Sequence, residues 1–148
     1  MEKQFVTFEI AKALKAIGFD EVCIAYFEVP TMKFYPMGAI CSPDSMHFAS
    51  FVPELQPDTL IAAPLWQQVF DWLETKNMSV EVDYVHKLNA YHFTIERRFD
   101  GLHLVNFLHY PNHPDRYSAN VMAITEALKI LQDPTVVGIL KKTRLEDA

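Results

Sequence analysis

Residues 79–110, SVEVDYVHKLNAYHFTIERRFDGLHLVNFLHY, decide the fold. Apolar and polar residues alternate through three runs, which is the pattern of half-buried β-strands. The runs lie near 79–86, 91–99 and 102–110. Asp100-Gly101 separates the last two runs, and both residue types tolerate the positive φ of a two-residue hairpin turn. The stretch therefore predicts a three-stranded antiparallel meander.

Two independently chosen turns set the register of this meander. A turn at Asp100-Gly101 pairs Phe99 with Leu102 and His92 with His109. A turn centred on Leu88-Asn89 pairs Tyr84 with Phe93 and Val82 with Ile95. Both turns place one apolar set on a common inner face, and this agreement supports the meander. The set is Val80, Val82, Tyr84, Phe93, Ile95, Phe99, Leu102, Leu104 and Leu108.

Helical periodicity surrounds these strands. Amphipathic patterns predict helices over 7–17, 64–76 and 118–132. Thr7 and Ser118 are expected to cap the first and last helices, and Gly18 is expected to end the first in a left-handed turn. We therefore predict an α+β fold. In it an antiparallel sheet, the meander plus one or two N-terminal strands, packs the three helices on one face.

The N-terminal part contains one β-prone run, at 22–27, followed by an unusual stretch. Residues 30–64 hold six of the nine prolines, which disfavour central strands and helix interiors. We predict an irregular, ordered insert at about 30–62 with one short strand around Lys33–Tyr35, within a single domain spanning 1–148. Residues 135–142 fit a short helix or a strand equally well.

Composition narrows the function classes. The chain has 148 residues, 50% of them hydrophobic, and a formal net charge of −6. No apolar run approaches the ~18 residues of a membrane span, and the first residues do not read as a signal peptide, so we expect a cytoplasmic protein without membrane contact. The acidic balance argues against nucleic acid as a partner. Aromatic residues near Arg97-Arg98 keep nucleic-acid binding as a hypothesis, weaker than the two hypotheses that close this section.

The two cysteines indicate neither a disulfide framework nor a zinc knuckle. Cys23 lies in an apolar run and is expected in the core. Cys41 lies near His47, but no flanking pattern of a catalytic thiol accompanies the two residues. The sequence also lacks phosphate loops, nucleophile elbows and dinucleotide fingerprints. We therefore predict no catalytic residues and no cofactor.

Histidines cluster in the meander and after it. The predicted register puts His92 directly opposite His109, and His113 follows in a proline-stiffened loop. A metal site on His92, His109 and His113 is one interpretation. A solvent-facing histidine pair is the other, and it is favoured because structural zinc sites usually show recognisable Cys/His spacing.

Polar residues on the inner face suggest a binding site. Asn106 and Arg97 fall on the predicted inner face, which is otherwise apolar. One interpretation is a small polar pocket at the end of the sheet, formed by Tyr84, His86, Tyr91, Asn106 and Tyr110. The alternative, which we favour, is a slipped register, a bulge, or a hydrogen bond from Asn106 to a helix end.

The third strand is apolar on both faces. Val105 and Phe107 fall on the outer face, while leucines fill the inner one. Such a strand needs cover on both sides, from the 30–62 insert or from a second copy of the chain. Val105 and Phe107 are therefore predicted interface residues.

Three segments together resemble a known family. They are the opening helix from Val6-Thr7-Phe8-Glu9 to Gly18-Phe19-Asp20-Glu21, the motif APLWQQVFDWL at 63–73, and the closing helix from Tyr117. The chain resembles small uncharacterised proteins encoded by gut bacteria and their phages, in which an "APxxQQxxxWxxxK" helix precedes strands. The resemblance covers about half of the chain and implies an α+β fold. It implies no activity and no site.

The sequence thus favours a non-enzymatic binding or accessory module whose partner is another protein or a second copy in a homodimer. The alternative is a small metal-dependent or hydrolytic enzyme working through His92, His109 and His113.

Overall fold

A computed structural model of the protein describes residues 2–41, 59–99 and 103–132. In these ranges the chain forms helices and antiparallel strands, which confirms the predicted α+β class. In chain order they are α1 (Phe8–Ala16), β1 (Cys23–Glu28), β2 (Phe34–Cys41), β3 (Leu60–Ala62), α2 (Trp66–Thr75), β4 (Met78–Val85), β5 (Ala90–Phe99), β6 (His103–His113) and α3 (Arg116–Gln132). Short 3₁₀ turns span Glu2–Gln4 and His86–Leu88.

The chain divides into two compact units, Met1–Gln68 and Val69–Ala148, with the boundary inside α2. Each unit has its own three-stranded sheet, so the N-terminal strands do not extend the meander. The single domain over 1–148 stays a prediction. No helix within the described ranges is both long and apolar enough to cross a membrane.

The N-terminal unit is built around β1. This strand is central, with β2 and β3 antiparallel on its two sides. The predicted insert at 30–62 therefore supplies both flanking strands, which is more regular structure than we expected. Pro36 lies within β2, and an edge strand tolerates proline because one side of its backbone makes no ladder hydrogen bonds. Residues 42–58 lie outside the described ranges.

Helix α1 begins and ends as its sequence predicts. The Thr7 side chain accepts a hydrogen bond from the Ile10 amide at 3.3 Å. Gly18 has φ of 96°, and the Phe19 amide donates to the Leu14 carbonyl at 3.0 Å. This pattern is a Schellman motif, in which a left-handed residue satisfies the last carbonyls of the helix. Phe19 and Leu14 are both buried, and apolar residues at these two positions commonly accompany the motif.

The C-terminal unit is the meander with α3 packed on it. The strand order is β4-β5-β6, and α3 contacts all three strands. Val80, Phe93 and Ile95 are buried, as their predicted inner-face positions require. The helix buries Ala119, Asn120, Ala123, Ile124, Ala127, Leu128 and Ile130.

The predicted register between β4 and β5 is wrong by two residues. Tyr84 pairs with Tyr91, not with Phe93, and Val82 pairs with Phe93. The reason is the 3₁₀ turn at His86–Leu88, which occupies residues that we had placed in the strand ends and turn. A shift by two residues keeps each side chain on its face, so Val80, Val82 and Tyr84 keep the face that they share with Phe93 and Ile95.

The predicted register between β5 and β6 is also wrong. Phe99 pairs with His103 instead of Leu102, and two irregularities follow along the ladder. As a result His109 pairs with Thr94, and His92 lies between the pairs Phe93–Tyr110 and Tyr91–His113. The direct opposition of His92 and His109 is therefore incorrect.

Helix α3 starts earlier than predicted. It begins at Arg116, and the Asp115 side chain accepts a hydrogen bond from the Ser118 amide at 2.7 Å. Asp115, not Ser118, is therefore the N-cap. The sequence placed Asp115 in a proline-containing loop, which concealed its capping role.

Candidate binding surface

Aromatic and basic side chains meet where β4 and β5 join and α3 begins. We call Tyr84, His86, Tyr91 and Arg116 the hairpin surface. The Tyr84 ring lies 4.8 Å from the His86 ring at 89° and 5.3 Å from the Tyr91 ring at 62°. The Arg116 guanidinium lies 5.4 Å from the centre of the Tyr91 ring. These edge-to-face and cation–π contacts fix four side chains in one continuous group.

Local backbone geometry holds Tyr84 in this group. Asn89 has φ of 47°, in the left-handed region that asparagine tolerates better than most residues, and its amide donates to the His86 carbonyl at 3.3 Å. The Tyr84 hydroxyl donates to the Asn89 side-chain oxygen. The turn at residues 86–89 therefore orients the Tyr84 side chain. An aromatic side chain that is already ordered loses little conformational entropy on binding.

Arg116 is positioned by the start of α3. Because Asp115 caps the helix, Arg116 is its first residue, and its guanidinium extends over Tyr91. Within the part of the chain that the structure describes, Arg116 has no carboxylate partner. Its charge is thus available to a ligand, while its stacking on Tyr91 limits its conformations.

The hairpin surface is exposed and basic at its rim. Tyr84 is 40% exposed and Leu88 54%, both high for large apolar side chains. His86, Lys87 and Arg116 are exposed as well. A patch of tyrosine and arginine in an otherwise acidic chain has the composition of protein-binding hot spots.

Three of the five predicted binding residues are brought together here. Tyr84 contacts both His86 and Tyr91. On β6, Tyr110 pairs with Phe93, and Asn106 pairs with Glu96, a residue of the predicted outer face, so the predicted inner-face position of Asn106 is wrong. The side chains of Tyr110 and Asn106 lie outside the described part. Arg116 was not among the predicted binding residues. Recognising Asp115 as a helix cap would have placed Arg116 beside the sheet end.

The predicted histidine cluster does not assemble in the predicted way. His113 pairs with Tyr91, and its ring lies 5.5 Å from the Phe93 ring. Its Nε2 atom is buried and has no hydrogen-bond partner among the described residues. The His109 side chain is outside the described part. Among the side chains that are described, no group of three His, Cys, Asp or Glu is arranged to hold a metal ion.

Arg97, the other polar residue of the predicted inner face, has a structural partner. Its Nη1 donates to the Ile130 carbonyl at 3.4 Å, near the C-terminal end of α3. Burial lowers the pKa of Arg97. The ladder is irregular between Ile95 and Glu96, next to Arg97, which fits the alternative of a bulge. The residue that reaches the helix is Arg97, where we had considered Asn106.

The predicted interface residues lie on β6. Val105 pairs with Arg97, a residue of the predicted inner face, so its predicted outer-face position opposite Glu96 is wrong. Phe107 lies at the irregularity between the pairs Glu96–Asn106 and Ile95–Leu108. The side chains of Val105 and Phe107 are outside the described part, so their role at an interface stays a prediction.

A concave feature lies in the N-terminal unit. An open cleft of about 240 Å³ between α1 and β3 is lined by residues that include Lys15, Phe19 and Ile61. Ligand pockets usually enclose roughly 300–1,000 Å³ and bury most of their ligand. The cleft is smaller and half open, so the hairpin surface is the stronger candidate site.

Comparisons with protein-family models, with curated proteins and with solved structures give no match to this chain. The resemblance to the gut-bacterial and phage family therefore stays a prediction. An α+β fold alone is compatible with many functions. The chemistry of the hairpin surface is therefore the feature that indicates a function.

Proposed function

We propose that this chain is a non-enzymatic binding module, located in the cytoplasm, whose hairpin surface recognises an acidic segment of a partner protein. The observation that carries the proposal is the group of exposed Tyr84 and Arg116 with half-buried Tyr91, in which both tyrosines and the guanidinium are in contact. Tyrosine and arginine dominate the energetics of protein interfaces because they combine large area with directional polar groups.

The positive charge at the rim of the hairpin surface favours an acidic partner. Arg116 and Lys87 offer positive charge beside apolar surface from Tyr84 and Leu88. A carboxylate next to an apolar side chain satisfies both features, since arginine binds carboxylates through two parallel hydrogen bonds. A partner of the same net charge as this chain would otherwise be repelled, so the basic rim also directs the encounter to one face.

The test is a selection of displayed random peptides against the immobilised full chain. We expect the selected peptides to share Asp or Glu adjacent to an aromatic or aliphatic residue. Tyr84→Ala or Arg116→Ala is expected to weaken binding of a selected peptide at least about tenfold, the usual range for hot-spot residues. Isothermal titration calorimetry measures the affinities.

The chain offers a matched control with the same chemistry. Lys33 lies 5.0 Å from the centre of the Tyr35 ring, a second cation–aromatic pair, in the N-terminal unit. Lys33→Ala should leave peptide affinity unchanged. Selected peptides without acidic residues, or peptides that bind the Tyr84→Ala variant equally well, would contradict the proposal. Competition by single-stranded oligonucleotides through the same residues would indicate nucleic-acid binding instead.

A further inference from the structure

The chain's two cysteines lie opposite each other on neighbouring strands. Cys23 begins β1 and Cys41 ends β2, and the antiparallel register pairs them directly. Opposed residues of antiparallel strands have Cα atoms about 4.5 or 5.5 Å apart, depending on the type of pair. Both separations fall within the range of roughly 4.4–6.8 Å that a disulfide requires.

An irregularity in the ladder creates this pairing. Phe27–Phe34, Tyr26–Tyr35 and Ala25–Pro36 form a regular ladder, which would place Gly38 opposite Cys23 if it continued. Instead the register shifts between Ala25 and Cys23, and residues 37–40 face a single β1 residue. The shift brings Cys41 to Cys23, a juxtaposition that sequence spacing alone does not reveal.

We propose that Cys23 and Cys41 are a redox-active dithiol that closes an intramolecular disulfide between β1 and β2 when it meets a small-molecule disulfide such as oxidised glutathione. One cysteine thiolate attacks a glutathione sulfur, forming a mixed disulfide and releasing one glutathione thiolate. The second cysteine thiolate then attacks the protein sulfur of that mixed disulfide and releases the second glutathione. The protein loses two protons and two electrons, and oxidised glutathione is reduced to two thiols.

The surroundings of Cys23 decide the order of the steps. Cys23 is 1% exposed, and its thiol donates to the Glu21 carbonyl at 3.5 Å. Burial, and to a smaller extent the Glu21 charge, raise the pKa of Cys23 to about 12, although a hydrogen bond from Gln68 opposes the rise. Because the thiolate is the nucleophile, Cys41 makes the first attack and Cys23 completes the disulfide slowly.

The proposed disulfide is reversible, as a disulfide in a reducing compartment has to be. Disulfides in cytoplasmic proteins are usually transient and redox-sensing. Cys23 is a free thiol in this structure, so the reduced form is compatible with the folded sheet. Oxidation would join the irregular part of β2 to β1 by a covalent bond. After reduction, non-covalent strand pairing alone would hold the two strands together.

The experiment incubates the folded full chain with oxidised glutathione, alkylates the remaining thiols and measures intact mass and digested peptides. We expect a Cys23–Cys41 peptide, loss of two hydrogens and no thiol left to alkylate. The oxidised chain should also unfold at a midpoint about 10 °C higher, because the bond closes a short loop, and reduction should reverse this shift. The Cys23→Ala variant should instead accumulate glutathione on Cys41.

A displaced thiol is the matched control. The double variant Cys41→Ala with Ile40→Cys moves the thiol by one residue, away from the position that the register pairs with Cys23, and its rate of linkage to Cys23 should fall at least about tenfold. Formation of the disulfide only in denaturant would overturn the proposal. So would linkage between chains instead of within one, or equal linkage rates in the displaced-thiol variant. The native chain alone supplies the first two outcomes, even if a variant does not fold.

Discussion

At the residue scale, Arg97 shows why a charged residue on an apolar face need not indicate a ligand site. The last carbonyls of a helix lack partners within the helix and carry its partial negative charge. Arg97 donates to one of these carbonyls, that of Ile130, from the neighbouring strand. The cost of burying the guanidinium, which lowers the pKa of Arg97, is thus offset in part by a charge-assisted hydrogen bond.

The buried thiol of Cys23 makes stability depend on alkaline pH. Burial raises the pKa of this thiol from an ordinary value of 9.0 to about 12 in the folded chain. A raised pKa means that the unfolded chain loses this proton first as pH rises. Below about pH 9 the protonated Cys23 thiol makes its full contribution to the free energy of unfolding. Between pH 9 and 12 this contribution falls by about 1.4 kcal/mol for each pH unit.

Urea unfolding at several alkaline pH values measures this dependence. In a Cys41→Ala background, which prevents disulfide formation, the chain should lose free energy of unfolding more steeply above pH 9 than the Cys23→Ala, Cys41→Ala double variant. Other titrating groups are common to both chains, so their contribution cancels in the difference. Equal slopes would show that Cys23 ionises normally when folded.

At the element scale, Gly18 tests how α1 ends. Its φ of 96° is unfavourable for residues with a Cβ, yet an added Cβ at this position would contact nothing within 4 Å. Gly18→Ala should therefore destabilise the chain by about 1 kcal/mol through backbone strain alone. Gly18→Asn should cost less, because asparagine tolerates this conformation.

Chemical denaturation measures both Gly18 variants against Lys15→Ala. Lys15 is an exposed residue in the last turn of the same helix, so its replacement should change the free energy of unfolding by less than about 0.5 kcal/mol. A Gly18→Ala variant as stable as the native chain would mean that the Schellman motif does not hold in solution.

The same elements show what a sequence can and cannot specify. Periodicity predicts α1, α2, α3 and the meander, because each element buries one apolar face. The registers were wrong because they depend on connections, where a 3₁₀ turn at His86–Leu88 or one extra residue after Phe99 moves every pair. Tyr84 and Tyr91 therefore appeared as pocket edges in the prediction, but their direct pairing became visible only with the observed register.

At the scale of the whole molecule, the division of strands into two sheets was not predictable from local pattern. The run at 22–27 and the meander strands have similar composition, and nothing in alternation tells a strand which neighbour to choose. Proline-rich sequence also concealed β2, although an edge position admits Pro36. The Cys23–Cys41 pairing was hidden for the same reason, since it depends on a shift within that strand pair.

The edge strand of the C-terminal sheet favours the association of two chains. Within the described residues, β6 pairs with β5 on one side only, and its eleven residues form a long edge. The sequence of this strand is apolar in both alternating sets, and long apolar edges recruit further strands unless charge prevents it. We therefore expect a homodimer formed through β6, which light scattering would detect as twice the mass of one chain.

Charged substitutions on this edge separate self-association from partner binding. Val105→Lys and Phe107→Lys should each weaken the dimer at least about tenfold, since lysine is the residue that natural edge strands use against pairing. Tyr84→Ala should leave the dimer unchanged, because that residue belongs to the hairpin surface. Each chain carries a net charge of −6, so lower salt should also weaken the dimer through less screened repulsion. A monomer at every concentration and salt would remove β6 as an interface, whereas a dimer insensitive to both lysine variants would locate the contact elsewhere.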